Sequence, residues 1–166
     1  TIHDMENVQE WMRNDLIAAD EASLDFVGSQ KNNRVFQEIA EKIRRDLDLE
    51  ADWFCQSSDV WDSFKKIRLQ AQNLGILIMM NGIVRNNTHR KLDIEEFRAF
   101  TLIDPYAPLI FVNTNDSPNG KLFSLMHEMA HVWLGKDNFF NDRYSMAATV
   151  DDTEILCNAI AAVKML

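Results

Sequence analysis

Two histidines and a glutamate stand close together in the stretch LFSLMHEMAHVWLG, which covers residues 122–135. His127 and His131 are four residues apart, and Glu128 follows the first of them. On a helix, residues four apart are separated by about 400°, so both imidazoles can face one metal ion. Glu128 is rotated by about 100° from His127, which puts its carboxylate beside the ion, where it can take a proton from a coordinated water. The spacing therefore predicts metal-assisted hydrolysis.

The surroundings of these three residues favour a metal site over a chance match. A helix is predicted over about 119–134, and its other residues are apolar nearly all round, which is typical of a central, buried helix. Buried ionisable groups are costly unless they are paired or bind a metal. The alternative is a buried helix that carries two hydrogen-bonded histidines and one paired glutamate.

A hydrolytic zinc site needs a third protein ligand. Glu154 is the favoured carboxylate, because it shares a helical face with Asn158, Ala161 and Ala162. The small residues of that face would let the last helix pack closely against the histidine helix at Ala130. On spacing alone the other candidates stay open, namely Asp137, Asp142, Asp151, Asp152, Cys157, His3 and His89.

The elements that position these residues change character half-way along the chain. Apolar residues spaced by three and four predict helices over about 4–27 and 33–47. A third helix is predicted from a cap among residues 57–59 to Gly75. The first half of the chain is therefore predicted to be helical.

Strands follow Gly75. The stretch ILIMM, then Asn81-Gly82, then IV predicts a strand, a tight turn and a return strand. VRNNTHRKLD is polar and predicts a loop, whereas EFRAFTLID and APLIFVN predict two further strands. A last helix is predicted to begin near residues 151–153 and to run to the end of the chain.

The bulk composition narrows the class of protein. The 166 residues are 46% apolar and 26% charged, which is typical of a globular chain. A net charge of −9 disfavours direct nucleic-acid binding, and no apolar stretch is long enough to cross a membrane. No signal peptide and only two well-separated cysteines favour a cytoplasmic protein. Both ends look cut, so the C-terminus is expected to be truncated.

Several segments resemble the ImmA/IrrE metallo-endopeptidases. FSLMHEMAHVWLG is similar to the family's histidine helix, and EILCNAIAA is similar to the segment in which the family's third ligand lies. The stretch from IRLQAQNLG to LIFVNTND resembles the helix and strands that lead to the family's site. The resemblance covers about residues 60–166.

The resemblance implies a fold, a cofactor and residue roles. The fold would be α+β and zincin-like, with a small mixed or antiparallel sheet packed on the buried histidine helix. Residues 1–56 would form an N-terminal helical segment and residues 57–166 the metallopeptidase domain. His127, His131 and Glu154 would bind Zn²⁺, or Mn²⁺ or another divalent ion, with Glu128 as general base. Asn158 matches a family asparagine that supports the site.

The resemblance also implies a regulatory zinc endopeptidase whose protein substrate is a helix-turn-helix repressor of bacterial stress genes or mobile elements. Tyr144 and Arg143 are candidate donors to the oxyanion by position in the sequence, and the strand edge near Phe97–Leu102 is a candidate substrate-binding edge. The alternative is a non-catalytic, metal-stabilised regulator or toxin–antitoxin component that acts by binding a repressor. The presence of Glu128 disfavours that alternative, because a structural site needs no base.

Overall fold

A small mixed sheet packs against helices, so the chain has the α+β class predicted from its sequence. The structure, a computed structural model, describes residues 1–84, 87–136 and 152–163. The helices and strands of these residues are, in chain order, α1 Ile2–Ala18, α2 Phe36–Asp46, α3 Val60–Leu74, β1 Leu77–Asn81, β2 Ile83–Val84, β3 Asn87–Lys91, β4 Ala99–Leu102, β5 Leu109–Asn113, α4 Pro118–Leu134 and α5 Asp152–Ala162.

The helices α3 and α4 begin and end at residues that cap them. Ser117 Oγ accepts a hydrogen bond of 3.0 Å from a main-chain N–H in the first turn of α4, and Asp59 caps α3 in the same way. Gly135 and Gly75 follow the two helices with left-handed backbone, at φ of 69° and 105°. These ends confirm the bounds predicted from the sequence.

The central strand of the main sheet is β5. It pairs in parallel with β1, with Leu77 opposite Leu109, and antiparallel with β4, with Ala99 opposite Val112. All residues of β5 are buried, because one face of the sheet packs into the helical core and the other contacts apolar residues of α1. The continuous apolar composition of this strand is explained by burial on both faces.

The predicted hairpin at Asn81-Gly82 is wrong. The strand β1 pairs with β5, whereas β2 pairs with β3 in a separate antiparallel sheet. Asn81 Oδ1 accepts hydrogen bonds from the N–H groups of Gly82 and Ile83, at 2.8 and 3.1 Å, which turns the chain out of the first sheet. The loop predicted for VRNNTHRKLD contains β3, which is exposed along its whole length and so shows no apolar alternation.

The first helix is shorter than predicted. It ends at Ala18 rather than near residue 27, and Asp20 then adopts a φ of 58° that breaks the helical path. The later apolar residues of the pattern serve another purpose: Phe26 stacks on Trp133 of α4, with ring centroids 4.7 Å apart.

The helical core surrounds α4. Buried residues of α2, α3, α4 and α5 form one cluster with the inner face of the sheet. The helix α2, from the N-terminal segment, packs directly on α4 and α5. The division of the chain after residue 56 stays a prediction. Among the described residues, no helix is both long and apolar enough to traverse a membrane.

Candidate metal centre

The helix α4 carries His127, Glu128 and His131 into the interior of the protein. His131 and Glu128 are 1% and 3% exposed, and the His127 side chain is 12% exposed. The helix is apolar on its other faces, and those faces pack against the sheet and against α2, α3 and α5. This packing fixes the rotation of the helix, and with it the direction of the two imidazoles.

Glu154, in the first turn of α5, meets both imidazoles. Its Oε2 lies 3.1 Å from His127 Nε2, its Oε1 lies 2.9 Å from His131 Nε2, and the two Nε2 atoms are 3.2 Å apart. In a tetrahedral zinc site with bonds of about 2.0 Å, neighbouring ligand atoms are about 3.3 Å apart. The donor types and their spacing therefore fit a small divalent cation.

The end of α4 orients His131. Its Nδ1 lies 2.8 Å from the Lys136 carbonyl oxygen. A carbonyl can only accept, so Nδ1 carries a proton and donates it, which makes Nε2 the atom that can bind a cation. The left-handed backbone of Gly135 turns the chain so that the Lys136 carbonyl reaches this position.

His131 and Glu154 also form an acid–base pair. Burial disfavours a charge on His131, but hydrogen bonds with Cys157 and Glu154 outweigh it and raise the pKa of His131 to about 11. Burial raises the pKa of Glu154, but hydrogen bonds from His127 and His131 outweigh this effect and lower the pKa to about 2. A proton on His131 Nε2 occupies the position of a bound cation, so protons and metal compete for this site.

Glu128 stands beside the three converging side chains and is not one of them. Its pKa is raised, because burial of the carboxylate outweighs the attraction of the neighbouring His131 and His127. The Thr101 hydroxyl lies 2.5 Å from Glu128 Oε2. Thr101 belongs to β4 and is fully buried.

A cleft of about 700 Å³ opens onto this centre. His127, Glu128 and Glu154 line its floor, and Phe97–Ala99 line one wall. Phe123, one turn before His127, is 43% exposed and lines the cleft as well. A ligand from solution can therefore reach His127, Glu128 and Glu154 through this cleft.

Comparison with known proteins identifies the family. A family model described as the IrrE N-terminal-like domain, of peptidase family M78, matches residues 71–166, which is more than half of the chain. The chain belongs to this family. No curated protein and no solved structure matches it significantly. The family is one of metallopeptidases, and the structure contains a possible His-His-Glu metal site.

Of the three supporting residues predicted for this M78 domain, the structure describes one, Asn158. Asn158 is exposed and lines the cleft one turn after Glu154. Arg143 and Tyr144 lie outside the described residues. Of the alternative ligands, Cys157 is buried, and its thiol is not among the converging ligand atoms.

His3 and His89 are distant alternatives that the fold separates from the centre. His3 lies exposed on α1, 3.5 Å from Glu6, and His89 lies on the exposed strand β3. Neither belongs to the group of converging ligand atoms.

Two contacts of the centre were missed by reasoning from sequence. Thr101 is the one hydroxyl among the alternating residues of EFRAFTLID, and that hydroxyl was a signal for a polar contact in the core. The carbonyl of Lys136 offers no signal at all, because every residue has one.

Proposed function

We propose that the protein is a zinc-dependent endopeptidase that cleaves a specific protein. The observation that carries this proposal is the convergence of His127, His131 and Glu154 beside a buried carboxylate, Glu128, on the floor of an open cleft. A purely structural zinc site is closed by a fourth protein ligand, and the converging group of the described residues has three members. Zinc suits these nitrogen and oxygen donors, and manganese is the main competitor.

The proposed roles follow from the positions of the side chains. His127, His131 and Glu154 would hold the ion, and the Lys136 carbonyl would keep the His131 imidazole in the orientation that binds it. When bound, the ion supplies a Lewis-acid charge that lowers the pKa of a coordinated water toward about 7 and polarises the scissile carbonyl. Glu128 would accept the proton of the attacking water and deliver it to the leaving amine.

The environment of Glu128 supports this shuttle. Burial raises its pKa from the ordinary value of 4.5, and a base whose pKa lies nearer to the working pH transfers protons more effectively in both directions. The carboxylate also lines the cleft, so a substrate amide can approach it. Asn158, exposed on the same cleft, is the candidate donor to the substrate or to the oxyanion.

The substrate would lie extended against the edge of β4. Within the sheet β1-β5-β4 this strand is an edge strand, and the Asn113 N–H donates to the Arg98 carbonyl. Antiparallel pairing alternates, so the main-chain groups of the next residue, Ala99, point away from β5. Ala99 is half-buried and lines the cleft, whereas Thr101 and Leu102 are buried, so a peptide would pair with the first part of the strand.

The proposed substrate is a helix-turn-helix repressor in the cytoplasm, as the family resemblance implies. A net charge of −9 suits contact with a basic DNA-binding protein better than contact with DNA itself. Because the exposed Phe123 lies beside His127, we expect the substrate to have an apolar side chain near its scissile bond. By cutting its repressor, the protein would regulate the genes that the repressor controls.

One experiment tests the proposal. The zinc-loaded chain is incubated with a purified helix-turn-helix repressor encoded beside its gene, and the products are identified by mass spectrometry. We expect a single cut that a chelator abolishes, that zinc or manganese restores, and that the Glu128→Gln variant does not make. Tight binding of the repressor without any cut would favour the non-catalytic regulator instead. Cleavage that survives both the chelator and Glu128→Gln would refute the assignment.

A further inference from the structure

Thr101 is a polar residue buried in the sheet with no part in the reaction assigned so far. It is fully buried, and its hydroxyl lies 2.5 Å from Glu128 Oε2 and 3.2 Å from the Glu128 carbonyl oxygen. A hydroxyl has one proton to donate. The shorter contact, to a carboxylate, is the stronger one, because hydrogen bonds to charged acceptors are shorter and roughly twice as strong as neutral ones.

The backbone around Thr101 holds this hydroxyl in a fixed place. In the β4–β5 ladder Thr101 pairs with Ile110 of the buried central strand. Its neighbours Phe100 and Leu102 point to the opposite face, where Phe100 stacks on Phe111 with ring centroids 5.0 Å apart. The strand therefore cannot rotate without disturbing a packed aromatic cluster, and Thr101 must face α4.

We propose that Thr101 is the positioning residue of the general base, an inference that rests on the proposed peptidase function. Its hydroxyl holds Glu128 Oε2 and so restricts rotation of the carboxylate about its last side-chain bond. Glutamate has three rotatable side-chain bonds, and holding them in one conformation removes an entropy cost from proton transfer. The residue acts through Glu128 and contacts neither the metal ligands nor the substrate.

The position also connects the base to the substrate edge. Ala99, two residues before Thr101 on the same strand, lines the cleft. The strand β4 thus offers the main-chain groups of Ala99 to the substrate and the hydroxyl of Thr101 to Glu128. Because both belong to β4, the distance between the bound peptide and the Glu128 carboxylate is set by one element of the fold.

Two variants of the full, zinc-loaded chain test the kinetic part. Thr101→Val keeps the shape and removes the hydroxyl, whereas Thr101→Ser keeps the hydroxyl. On a quenched fluorogenic peptide that spans the cut site, we expect Thr101→Val to lower kcat by about 10–100-fold, with KM and zinc affinity unchanged. Thr101→Ser should stay within about threefold of wild type. Ser63→Ala, which removes a buried hydroxyl of α3, is the matched control and should leave kcat unchanged.

Defined results would overturn the inference. A Thr101→Val variant with wild-type kcat would do so, since the hydroxyl would then be dispensable. So would a Thr101→Ser variant as impaired as Thr101→Val, or a joint loss of kcat and zinc affinity, because either pattern indicates packing rather than orientation.

A second readout does not depend on peptidase activity. Denaturant unfolding of the full chain is compared for Thr101→Val alone and for Thr101→Val in a Glu128→Leu background. We expect the substitution to lower the unfolding midpoint clearly more in the first case than in the second, since the Glu128→Leu background has already lost the carboxylate partner and leaves the Thr101 hydroxyl only the longer contact to the main-chain carbonyl of residue 128. Equal shifts in both backgrounds would refute the contact. A wild-type chain that cuts nothing, with this coupling present, would refute the proposed function and leave the contact intact.

Discussion

Gly28 and Gly135 pack against each other, with their backbones in direct contact, at the C-terminal end of α4. Both have left-handed backbone, at φ of 70° and 69°, and a Cβ on Gly135 would lie only 2.9 Å from Gly28 Cα. The close approach lets the loop after α1 cap α4: the N–H groups of Gly28 and Gln30 donate to the carbonyls of Val132 and Trp133, each at 2.9 Å. A segment outside the matched family region therefore completes the helix that carries both histidines.

Gly135→Ala should weaken metal binding. A left-handed alanine costs about 1–2 kcal/mol, and its methyl group must also push away the Gly28 backbone. The displaced chain would carry the Lys136 carbonyl away from His131 Nδ1. We expect zinc affinity to fall by about 10–100-fold, measured by competition with a chromophoric chelator.

Gly75→Ala is the matched control for backbone strain. It also forces a left-handed alanine at the end of a helix, but the methyl group would meet only the flexible Leu24 side chain, at 3.2 Å. It should lower stability by a similar amount and leave zinc affinity unchanged. If both variants lose zinc equally, general destabilisation and not the cap of α4 is responsible.

Glu128→Gln should separate metal binding from catalysis. Glutamine fills the same space and can still accept a hydrogen bond from Thr101, but it cannot take a proton. Zinc content should remain at the wild-type level, while kcat falls by about 10²–10⁴-fold, the usual contribution of a general base. Glu10→Gln, which removes an exposed charge on α1, should have no effect on either quantity. Equal turnover by Glu128→Gln would show that another group is the base.

Glu154→Ala should abolish stable zinc binding. The substitution removes the carboxylate that contacts both imidazoles and leaves two ligands where a hydrolytic site needs three. Zinc measured by atomic emission after dialysis should fall to a small fraction of the wild-type content. Asp152→Ala, an exposed carboxylate in the same helical turn, should keep its zinc. An unchanged metal content in Glu154→Ala would rule out its role as third ligand.

Metal binding should release a proton near neutral pH. The pKa of His131 is raised to about 11, so the ring carries a second proton at neutrality and must lose it for Nε2 to bind zinc. Apparent affinity should then rise by about tenfold for each pH unit between about pH 6 and about pH 9. Calorimetry in two buffers of different ionisation enthalpy measures the released proton. An affinity that stays flat across this range would contradict the His131–Glu154 pair.

The His131–Glu154 pair also predicts how the free energy of unfolding depends on pH in protein treated with a chelator. The raised pKa of His131 contributes stability that is complete below its ordinary value of 6.5 and is lost as the pH rises toward about 11. The lowered pKa of Glu154 contributes stability that is complete above 4.5 and is lost as the pH falls toward about 2. The free energy of unfolding of wild type minus that of Glu154→Gln should thus be largest between pH 4.5 and 6.5. A difference that is constant with pH, measured by denaturant unfolding, would contradict this.

Local signals in the sequence predicted the helices near the centre and four of the five strands that the structure describes, all but β3. The caps at Asp59 and Ser117 and the glycines at 75 and 135 act within one turn, so their effect can be read from neighbouring residues. The pairing of strands could not be read in this way. The Asn81-Gly82 signal for a hairpin was overridden because β5, some 30 residues later, supplies a better buried partner for β1 than β2 does.

The sequence by itself determined which side chains could do chemistry, because His127, Glu128 and His131 are related by the turn of a single helix. It also singled out Glu154, although its role as a ligand stays a prediction. Only the tertiary structure decided that Glu154 reaches both imidazoles, that Thr101 contacts Glu128 and that Gly28 caps α4. Helical spacing is a property of adjacent residues, whereas these contacts join residues at least 23 positions apart and depend on how all the layers pack together.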